Sequence, residues 1–310
     1  MVSKKFLLII NPTSGSGRGK KWEKWFKKES SKFPNVELVI RFSSKSGEDS
    51  IENLAKMAES CGYCRVIVVG GDGSFNEAAN GLVNSNIPLA VIALGTANDF
   101  PIGLGIPRNV KKAFRIAMSG KEVSIDLGKF NGIFFVNVAS FGFDAEIVKM
   151  VSESREGYRI LSSKWLYVLT LLKKLSAPLE FSTIKINGGI ERIALGFVVT
   201  NGPQYGGKFK ISPTASYTDG LLDCCLIPRM NRLKLLRMIF RLLSGTHEKI
   251  SDIITEKKSF LVVSSCDALS CEVDGEVFES SKDYINSKDY IITVHPKALK
   301  VVIPREGIVR

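Results

Sequence analysis

The chain of 310 residues is long enough for two ordinary domains and a sizeable hydrophobic core. Hydrophobic residues make up 45% and charged residues 24%, which excludes a disordered chain, and no uncharged apolar run approaches the roughly 18 residues of a membrane span. The formal net charge of +12 suits an anionic partner such as nucleotide phosphates, nucleic acid or an acidic membrane face. Solubility alone explains this charge equally well.

The six cysteines have neither the spacing of a zinc site nor that of a disulfide framework. Cys61 and Cys64 form a CxxC, but no second CxxC or nearby histidine pair completes a set of metal ligands. We therefore expect both to be buried thiols beside a strand, in the reducing cytoplasm. The apolar stretch near the N-terminus is too short for a signal peptide, so the sequence predicts a soluble, cytoplasmic protein.

Apolar strands and amphipathic helices alternate through residues 1–125. The predicted strands are "KFLLII", "VELVIRF", "RVIVVGG" and "PLAVIALG". Helices are predicted around residues 22–26 and over residues 51–59, 75–83 and 110–118. Continuous apolar strands separated by helices are typical of a parallel sheet with helices on both faces, so the first domain is predicted to be α/β.

Short strands with turn residues between them dominate residues 126–297. This pattern predicts a mainly-β second domain, with helices near 160–175 and 230–243. The last strand, "ALKVVIP", opens a tail over residues 298–310 that fits either domain.

The loops that follow the parallel strands are the candidate ligand sites, because ligands bind at the carboxyl ends of such strands. These loops are "NPTSGSGRG", "SSKSG", "GGDGS" and "LGTANDF". The first lacks the spacing of a P-loop and of the dinucleotide fingerprint. In "GGDGS", the glycines allow close approach of a ligand, and a helix starting near Ser74 would direct its N–H groups at an anion. Ser74 is predicted to cap that helix, with Glu77 completing a capping box, although a tight turn without a ligand fits as well.

Asp72 lies inside this glycine turn, where its charge would repel a phosphate. A cation or a hydroxyl group awaiting deprotonation would make the carboxylate tolerable. Asp99 follows the adjacent strand, and two such carboxylates can hold Mg²⁺ directly or through water.

Six motifs occur in order between Asn11 and Glu276: "NPTSGSGRG", "GGDGSFNE", "LGTANDF", "NVASFGFDAEI", "TNGPQYGGKFKISPTASYTDGLLD" and "VDGE". Together they resemble the diacylglycerol kinase catalytic-domain family, most closely its bacterial lipid kinases. The resemblance implies a nucleotide-binding α/β domain similar to those of NAD kinases and phosphofructokinases. It also implies that the β-rich second domain is sandwich-like and binds the lipid substrate.

The resemblance also implies ATP and Mg²⁺ as cofactors and assigns roles to particular residues. Contacts to ATP are assigned to Asn11, Ser43, Gly70, Gly71, Asp72, Gly73, Ser74, Phe75, Asn76 and Thr96. A magnesium site is assigned to Ser216, Asp219 and Leu221, the first and last through carbonyl oxygens, although an Asp-Gly turn without metal fits this segment. Glu276 is assigned as the general base and Asp72 as a catalytic residue, whereas locally "DG" predicts only a hairpin turn. Ser43 and Ser74 replace the threonines more common in the family but keep the hydroxyl.

The expected function is that of an ATP- and Mg²⁺-dependent lipid kinase, which transfers the γ-phosphoryl group to a hydroxyl of a lipid such as diacylglycerol. A NAD kinase, which shares the GGDG loop, is the alternative enzyme. A non-catalytic lipid- or nucleotide-binding regulator is the alternative without catalysis, and a homodimer is left open. Nucleic acid is not expected as a partner, because no aromatic-rich basic motif accompanies the charge.

Residues 232–243, "RLKLLRMIFRLL", form a predicted amphipathic helix. Its basic face holds Lys234, Arg237 and Arg241, and the opposite face holds Leu235, Leu236, Ile239 and Leu243. An ordinary helix packed on the β domain would have this pattern. The alternative is a face that meets anionic lipid headgroups, which predicts a cytoplasmic protein that associates peripherally with membranes.

Overall fold

The structure is a computed structural model that describes residues 3–154, 163–207, 209–250, 252–265, 269–278 and 289–307. The chain divides into two compact units, which are described separately. The first comprises the chain up to Leu127 and from Pro296 onward, and the second runs from Gly128 to His295. Within the described residues, no helix is both long and apolar enough to cross a membrane.

The first unit is an α/β structure built on a parallel sheet. Its strands are β1 (Lys4–Ile10), β2 (Val36–Phe42), β3 (Arg65–Gly70) and β4 (Leu89–Ala93). The order is β4-β3-β1-β2, and Leu8 of β1 pairs with both Ile40 and Ile67. Consecutive residues of β3 and β4 are all buried, so both faces of the sheet are covered, as the continuous apolar runs predicted.

The helices of the first unit connect these strands. They are α1 (Ser14–Gly17), α2 (Glu23–Ser30), α3 (Ile51–Lys56), α4 (Asp72–Leu82), α5 (Asp99–Gly103) and α6 (Val110–Ser119). The predicted N-cap at Ser74 is wrong, because α4 begins at Asp72 and its N-cap is Gly71, whose backbone is extended (φ −112°, ψ −174°). Ser74 lies in the first turn instead, so the predicted capping box between Ser74 and Glu77 is also wrong.

Cys61 and Cys64 are exposed, so the prediction that both are buried thiols is wrong. They lie in the turn that precedes β3, and the strand begins only at Arg65. Both cysteines therefore lie outside the buried strand.

The second unit is a β-rich structure with three α-helices among its described residues. Two long strands, β5 (Lys121–Phe130) and β15 (Asp289–Ile303), connect it to the first unit through the chain. Its other strands are β6 (Ile133–Phe135), β7 (Val138–Gly142), β8 (Ser182–Ile186), β9 (Arg192–Thr200), β10 (Leu222–Pro228), β11 (Ile254–Lys258), β12 (Phe260–Ser265), β13 (Cys271–Val273) and β14 (Glu276–Phe278). The helices are α7 (Phe143–Ser154), α8 (Ser163–Ser176) and α9 (Arg232–Ser244).

Strand β9 shows how the core of this unit is arranged. It pairs antiparallel with β7, β8 and β10. Phe197 and Val199 belong to a cluster formed mainly by strands, whereas Leu195 and Val198 belong to a cluster that includes residues of α7, α8 and α9. Residues of β9 therefore contribute to two cores, and Leu195 departs from strict alternation where the pairing of β9 with β10 shifts register, which is consistent with a sandwich-like domain.

Some elements of this unit differ from the sequence prediction. Helices near 160–175 and 230–243 were expected and correspond to α8 and α9, but α7 and β11 were not predicted. The segment "ALKVVIP" is not a separate strand. It continues β15, and from Pro296 onward that strand lies in the first unit, where Val301 pairs in parallel with Leu89.

Candidate active site

Three loops of the first unit converge at the carboxyl ends of β1, β3 and β4. The amide N–H groups of Leu94 and Gly95 donate to the Gly70 carbonyl at 2.7 and 3.1 Å. Asn11 Nδ2 donates to Ser74 Oγ at 2.9 Å, which ties the loop after β1 to the first turn of α4. The motifs "NPTSGSGRG", "GGDGS" and "LGTANDF" therefore form one site.

The glycines of these loops have two different functions. A Cβ atom on Gly95 would lie 2.7 Å from the Cα atom of Gly71, so the loops after β3 and β4 approach too closely for side chains. A Cβ atom on Gly73 would meet nothing within 4 Å. Gly73 thus faces open space at the first turn of α4, where the helix has N–H groups without intrahelical partners and a positive dipole end. This is a suitable place for a phosphate.

The carboxylate of Asp72 joins two of these loops. Its Oδ2 accepts from the N–H of Asn98 at 2.7 Å, and its Oδ1 accepts from the N–H of Phe100 at 3.1 Å. Burial raises the pKa of Asp72, and the backbone amides of Phe100, Asn98 and Asp99 oppose that rise. The backbone amides of the loop after β4 therefore offset part of the cost of burying this carboxylate. Whether Asp72 and Asp99 also hold Mg²⁺ stays a prediction.

The side chains of the other residues assigned to nucleotide binding differ in how exposed they are to solvent. Thr96 is exposed at the tip of the loop after β4, and Asn76 is partly exposed on α4. Ser43 is buried just beyond β2, and its N–H donates to the Ile10 carbonyl at 3.0 Å. The side chain of Phe75 is fully buried in the first unit, so it anchors α4 in the core and presents no surface to a nucleotide.

Glu276 is exposed at the first position of β14, directly after a tight hairpin. Asp274 and Gly275 have φ angles of 46° and 94°, and Val273 pairs with Glu276, which confirms the turn predicted from "DG". The Asp274 carboxylate accepts from the N–H groups of Val136, Asn137 and Val138 at 2.6, 3.0 and 2.9 Å. The turn that presents Glu276 is thus fixed to a distant segment of the same unit.

Glu272, which the sequence analysis did not identify, lies two residues before this turn and is almost completely buried. Its Oε2 accepts from Ser140 Oγ at 3.0 Å, and its Oε1 accepts from the N–H of Gly275. Burial raises the pKa of Glu272 well above its ordinary value, and the charges of Asp144 and Asp274 raise it further. The signal available in the sequence was an acidic residue between Cys271 and Val273 in a short apolar strand.

The sequence analysis did not predict the apolar cavity that lies in the second unit. Leu171 of α8 and Leu235, Met238 and Ile239 of α9 contribute to its lining. Asp144 and Tyr205 also line it, and the Tyr205 hydroxyl donates to Asp144 Oδ1. An apolar cavity with a small number of polar groups is the usual form of a site for a largely apolar ligand.

The turn assigned to magnesium is held together by protein groups. Asp219 Oδ1 accepts from the N–H of Leu221 at 3.1 Å, and Asp219 Oδ2 lies 2.7 Å from Lys257 Nζ. Lys257 Nζ also lies 3.2 Å from Asp223 Oδ2. Burial lowers the pKa of Lys257, but Asp219 and Asp223 outweigh this effect and raise it overall. Within the described ranges, no cluster of three or more His, Cys, Asp or Glu residues could hold a metal ion, so a metal at Ser216, Asp219 and Leu221 stays a prediction.

Helix α9 packs as an amphipathic helix. Leu235, Met238 and Ile239 are buried, and Leu236, Leu242 and Leu243 pack partly buried against the same cluster. Lys234 is less available than its position in the sequence suggests, because its Nζ lies 2.7 Å from Asp252 Oδ2. The outer face exposes Arg237 and Arg241 together with two apolar side chains, Leu233 at 62% and Phe240 at 65% exposure.

Comparison with known proteins agrees with this architecture. Residues 5–130 match the diacylglycerol kinase catalytic domain, and residues 137–303 match the YegS C-terminal NAD kinase beta sandwich-like domain. A diacylglycerol kinase of Staphylococcus carnosus is 29% identical over 305 residues, which are 96% of this chain and 97% of that protein. A diacylglycerol kinase of Mycobacterium tuberculosis is 32% identical over 266 residues, 82% of each chain.

A solved structure shows the same fold. The crystal structure of a diacylglycerol kinase from Bacillus anthracis superposes with a TM-score of 0.71 at 21% identity and covers 98% of each chain. Both units of the present chain are thus accounted for, the first by the catalytic-domain match and the second by the sandwich-like match. With its ordered motifs and its strand-end loops in the expected places, the chain belongs to the diacylglycerol kinase catalytic-domain family of ATP-dependent lipid kinases.

Proposed function

We propose that this lipid kinase transfers the γ-phosphoryl group of ATP, bound with Mg²⁺, to the free hydroxyl of diacylglycerol. The observation that carries the proposal is the convergence of three strand-end loops around the first turn of α4. Phosphoryl transfer requires mainly positioning and charge stabilisation, and this arrangement offers both. The names of the relatives from Staphylococcus carnosus and Mycobacterium tuberculosis favour diacylglycerol as the acceptor.

The phosphates of ATP would lie at the open space beside Gly73, against the N–H groups at the start of α4. Arg18 and Lys20 are exposed in the loop after β1 and would add positive charge. Asp72 holds the loop after β4 in position through Asn98 and Phe100. Mg²⁺, when bound with the nucleotide, supplies the charge neutralisation that the reaction needs.

The acceptor would bind in the second unit. The cavity lined by residues of α8 and α9 is apolar, as the site of an acyl chain must be, but at about 30 Å³ it would have to widen to admit one; Asp144 and Tyr205 offer polar partners for a glycerol backbone. Glu276 would take the proton of the acceptor hydroxyl, because it is exposed and carried on a hairpin that Asp274 fixes. The apolar lining also argues against NAD as the acceptor, since NAD carries charged phosphates and polar riboses.

Peripheral membrane contact would bring the enzyme to its acceptor, which resides in a bilayer. The exposed face of α9 offers Leu233 and Phe240 for insertion at the interface and Arg237 and Arg241 for anionic headgroups. A cytoplasmic location fits this arrangement. A homodimer remains part of the proposal, and light scattering of the purified protein measures it directly.

Radiolabelled ATP offered with a panel of acceptors in mixed micelles tests the proposal. The panel contains diacylglycerol, a sphingoid base, ceramide and phosphatidylglycerol, with NAD as a water-soluble acceptor. We expect label in phosphatidic acid, Mg²⁺-dependent turnover, and turnover lowered by roughly 10²–10⁴-fold with the Glu276→Gln variant, which controls for contaminating kinases. Turnover on NAD or on another lipid alone contradicts diacylglycerol as the acceptor, and ATP binding without turnover on any acceptor supports a regulator.

A further inference from the structure

Lys257 lies among oxygen atoms of a kind that ordinarily surround a metal ion. Its Nζ is 2.7 Å from Asp219 Oδ2, 3.2 Å from Asp223 Oδ2 and 3.4 Å from the Thr214 carbonyl. We refer to these four residues as the Lys257 cluster. Carboxylate and carbonyl oxygens are the ligands that Mg²⁺ and Ca²⁺ take in proteins. An ammonium group within the cluster therefore occupies the position of a cation.

Strand pairing and a tight turn together position the residues of the Lys257 cluster. Asp223 and Lys257 are directly opposite each other in the antiparallel pair β10–β11. Asp219 precedes β10 in a turn where Gly220 has a φ angle of 72°, and its Oδ1 accepts from the N–H of Leu221. The lysine is thus a cross-strand partner of one carboxylate, and the turn brings the second carboxylate to the same nitrogen.

Asp223 shows why a cation is needed there. The residue is only 7% exposed, and its Oδ2 is buried without a hydrogen bond. The ammonium of Lys257, at 3.2 Å, forms an ion pair with this oxygen. A buried carboxylate without compensation is strongly unfavourable, so removing the cation would destabilise the turn unless another cation replaced it.

We infer that Lys257 is the resident cation of this turn and takes the place that the family resemblance gives to Mg²⁺ at Ser216, Asp219 and Leu221. The folded chain then needs no divalent ion at this site. The inference is independent of the Mg²⁺ that accompanies ATP and of the identity of the acceptor. Its test uses ion binding and unfolding without nucleotide or lipid, so its failure and that of the proposed function are distinguishable.

The test compares the wild-type chain with Lys257→Met, which keeps an unbranched side chain and removes the charge. Lys258→Met is the matched control, because Lys258 is the next residue of β11 and pairs instead with Glu256 at 3.0 Å. Melting temperatures are measured in EDTA and in rising Mg²⁺ and Ca²⁺, and bound Mn²⁺ is counted by electron paramagnetic resonance. For the wild type, we expect the same melting temperature in EDTA as with divalent ions. The melting temperature of Lys258→Met should likewise not respond to divalent ions.

Lys257→Met should melt lower in EDTA, recover on addition of Mg²⁺ or Ca²⁺, and bind one Mn²⁺ per chain more than the wild type. Adding Asp219→Asn to this variant should abolish both the recovery and the extra Mn²⁺. A wild-type chain that is itself stabilised by Mg²⁺ and loses this response with Asp219→Asn overturns the inference. So does a Lys257→Met variant that binds no additional ion. If Lys257→Met does not fold, the wild-type titration alone decides between these outcomes.

Discussion

Asp72 illustrates how one side chain can combine a structural function with a place in a catalytic loop. Both of its carboxylate oxygens accept backbone N–H groups, from Asn98 and Phe100. Hydrogen bonds to charged groups contribute about 1.5–3 kcal/mol each. The aspartate in "GGDGS" therefore has a structural function, which is to hold the loop after β4 through its backbone N–H groups. Its position beside the expected phosphate site is a separate feature.

Asp72→Asn should lower stability, whereas ATP affinity need not fall, because the lost negative charge no longer repels phosphate. The amide keeps one acceptor oxygen but places an NH₂ group against the other backbone donor, so we expect a loss of about 1.5–3 kcal/mol in the free energy of unfolding. Denaturant unfolding and calorimetric ATP titration measure the two effects. Asp49→Asn, at an exposed position of the same unit, is the control. Wild-type stability with lost turnover would instead indicate a purely catalytic carboxylate.

Glu276→Gln should lower turnover by roughly 10²–10⁴-fold while leaving folding and ATP binding nearly intact. The side chain is exposed, and the hairpin that carries it is fixed by the backbone and by Asp274 rather than by Glu276. Steady-state kinetics, ATP titration and thermal unfolding are compared with those of Glu191→Gln, which alters another exposed glutamate of this unit. Turnover of the variant equal to that of wild type would exclude Glu276 as the base.

Glu272 should make stability depend on pH in a defined direction. Its pKa is raised well above 4.5 by burial, so the folded chain keeps this proton to higher pH than the unfolded chain does. The free energy of unfolding must then fall as pH rises from about 4.5 toward the raised value. Glu272→Gln mimics the protonated acid and should flatten this fall in denaturant titrations across that range. Parallel pH profiles of variant and wild type would contradict a raised pKa.

At the scale of elements, the hairpin β13–β14 depends on one carboxylate from its own turn. Asp274→Ala removes the acceptor for the N–H groups of Val136, Asn137 and Val138 and places alanine at a φ angle of 46°. We expect a lower melting temperature together with reduced turnover, because Glu276 is displaced with the turn. Asp274→Asn keeps an acceptor and tolerates this φ angle, so it should lose less of both. Equal effects of the two variants would argue against the hydrogen bonds as the cause.

The outcome for individual elements shows what a sequence pattern can predict. The parallel strands were predicted because β3 and β4 are continuously apolar, and the turn before Glu276 was predicted because "DG" tolerates the left-handed backbone that a two-residue hairpin turn requires. The start of α4 was misplaced because Ser74 is a favourable cap, whereas the helix begins at Asp72, whose carboxylate accepts from the loop after another strand. Tertiary hydrogen bonds of this kind leave no local signal.

At the scale of the molecule, the same limit applies to contacts between distant segments. The family motifs identified the loops and Glu276, but nothing in "VDGE" indicates that Asp274 bonds residues about 137 positions away. Likewise, "SYTDGLL" suggests a cation site, and only the pairing of β10 with β11 shows that Lys257 reaches it. Partners separated by whole elements are chosen by topology, which a single sequence does not specify.

The net charge of +12 should make membrane binding sensitive to salt, and α9 should carry part of this effect. Basic residues near an anionic surface contribute about 1 kcal/mol each, and salt screens them. The double reversal Arg237→Glu and Arg241→Glu should therefore weaken binding to vesicles containing phosphatidylglycerol, measured by co-sedimentation. Lys234 is left unchanged because its substitution would also break the ion pair with Asp252, and a loss of stability could then be mistaken for a loss of charge attraction to the membrane.

Two further measurements separate this surface from the active site. Phe240→Ser should weaken vesicle binding at low and high salt alike, because it removes apolar contact rather than charge. Turnover of the Arg237 and Arg241 double variant on a short-chain, water-soluble diacylglycerol should equal that of wild type, since neither arginine is among the residues that line the apolar cavity. Vesicle binding that survives the reversal, the Phe240 change and added salt would mean that α9 packs on the second unit without meeting a membrane, and that the positive charge acts through another surface.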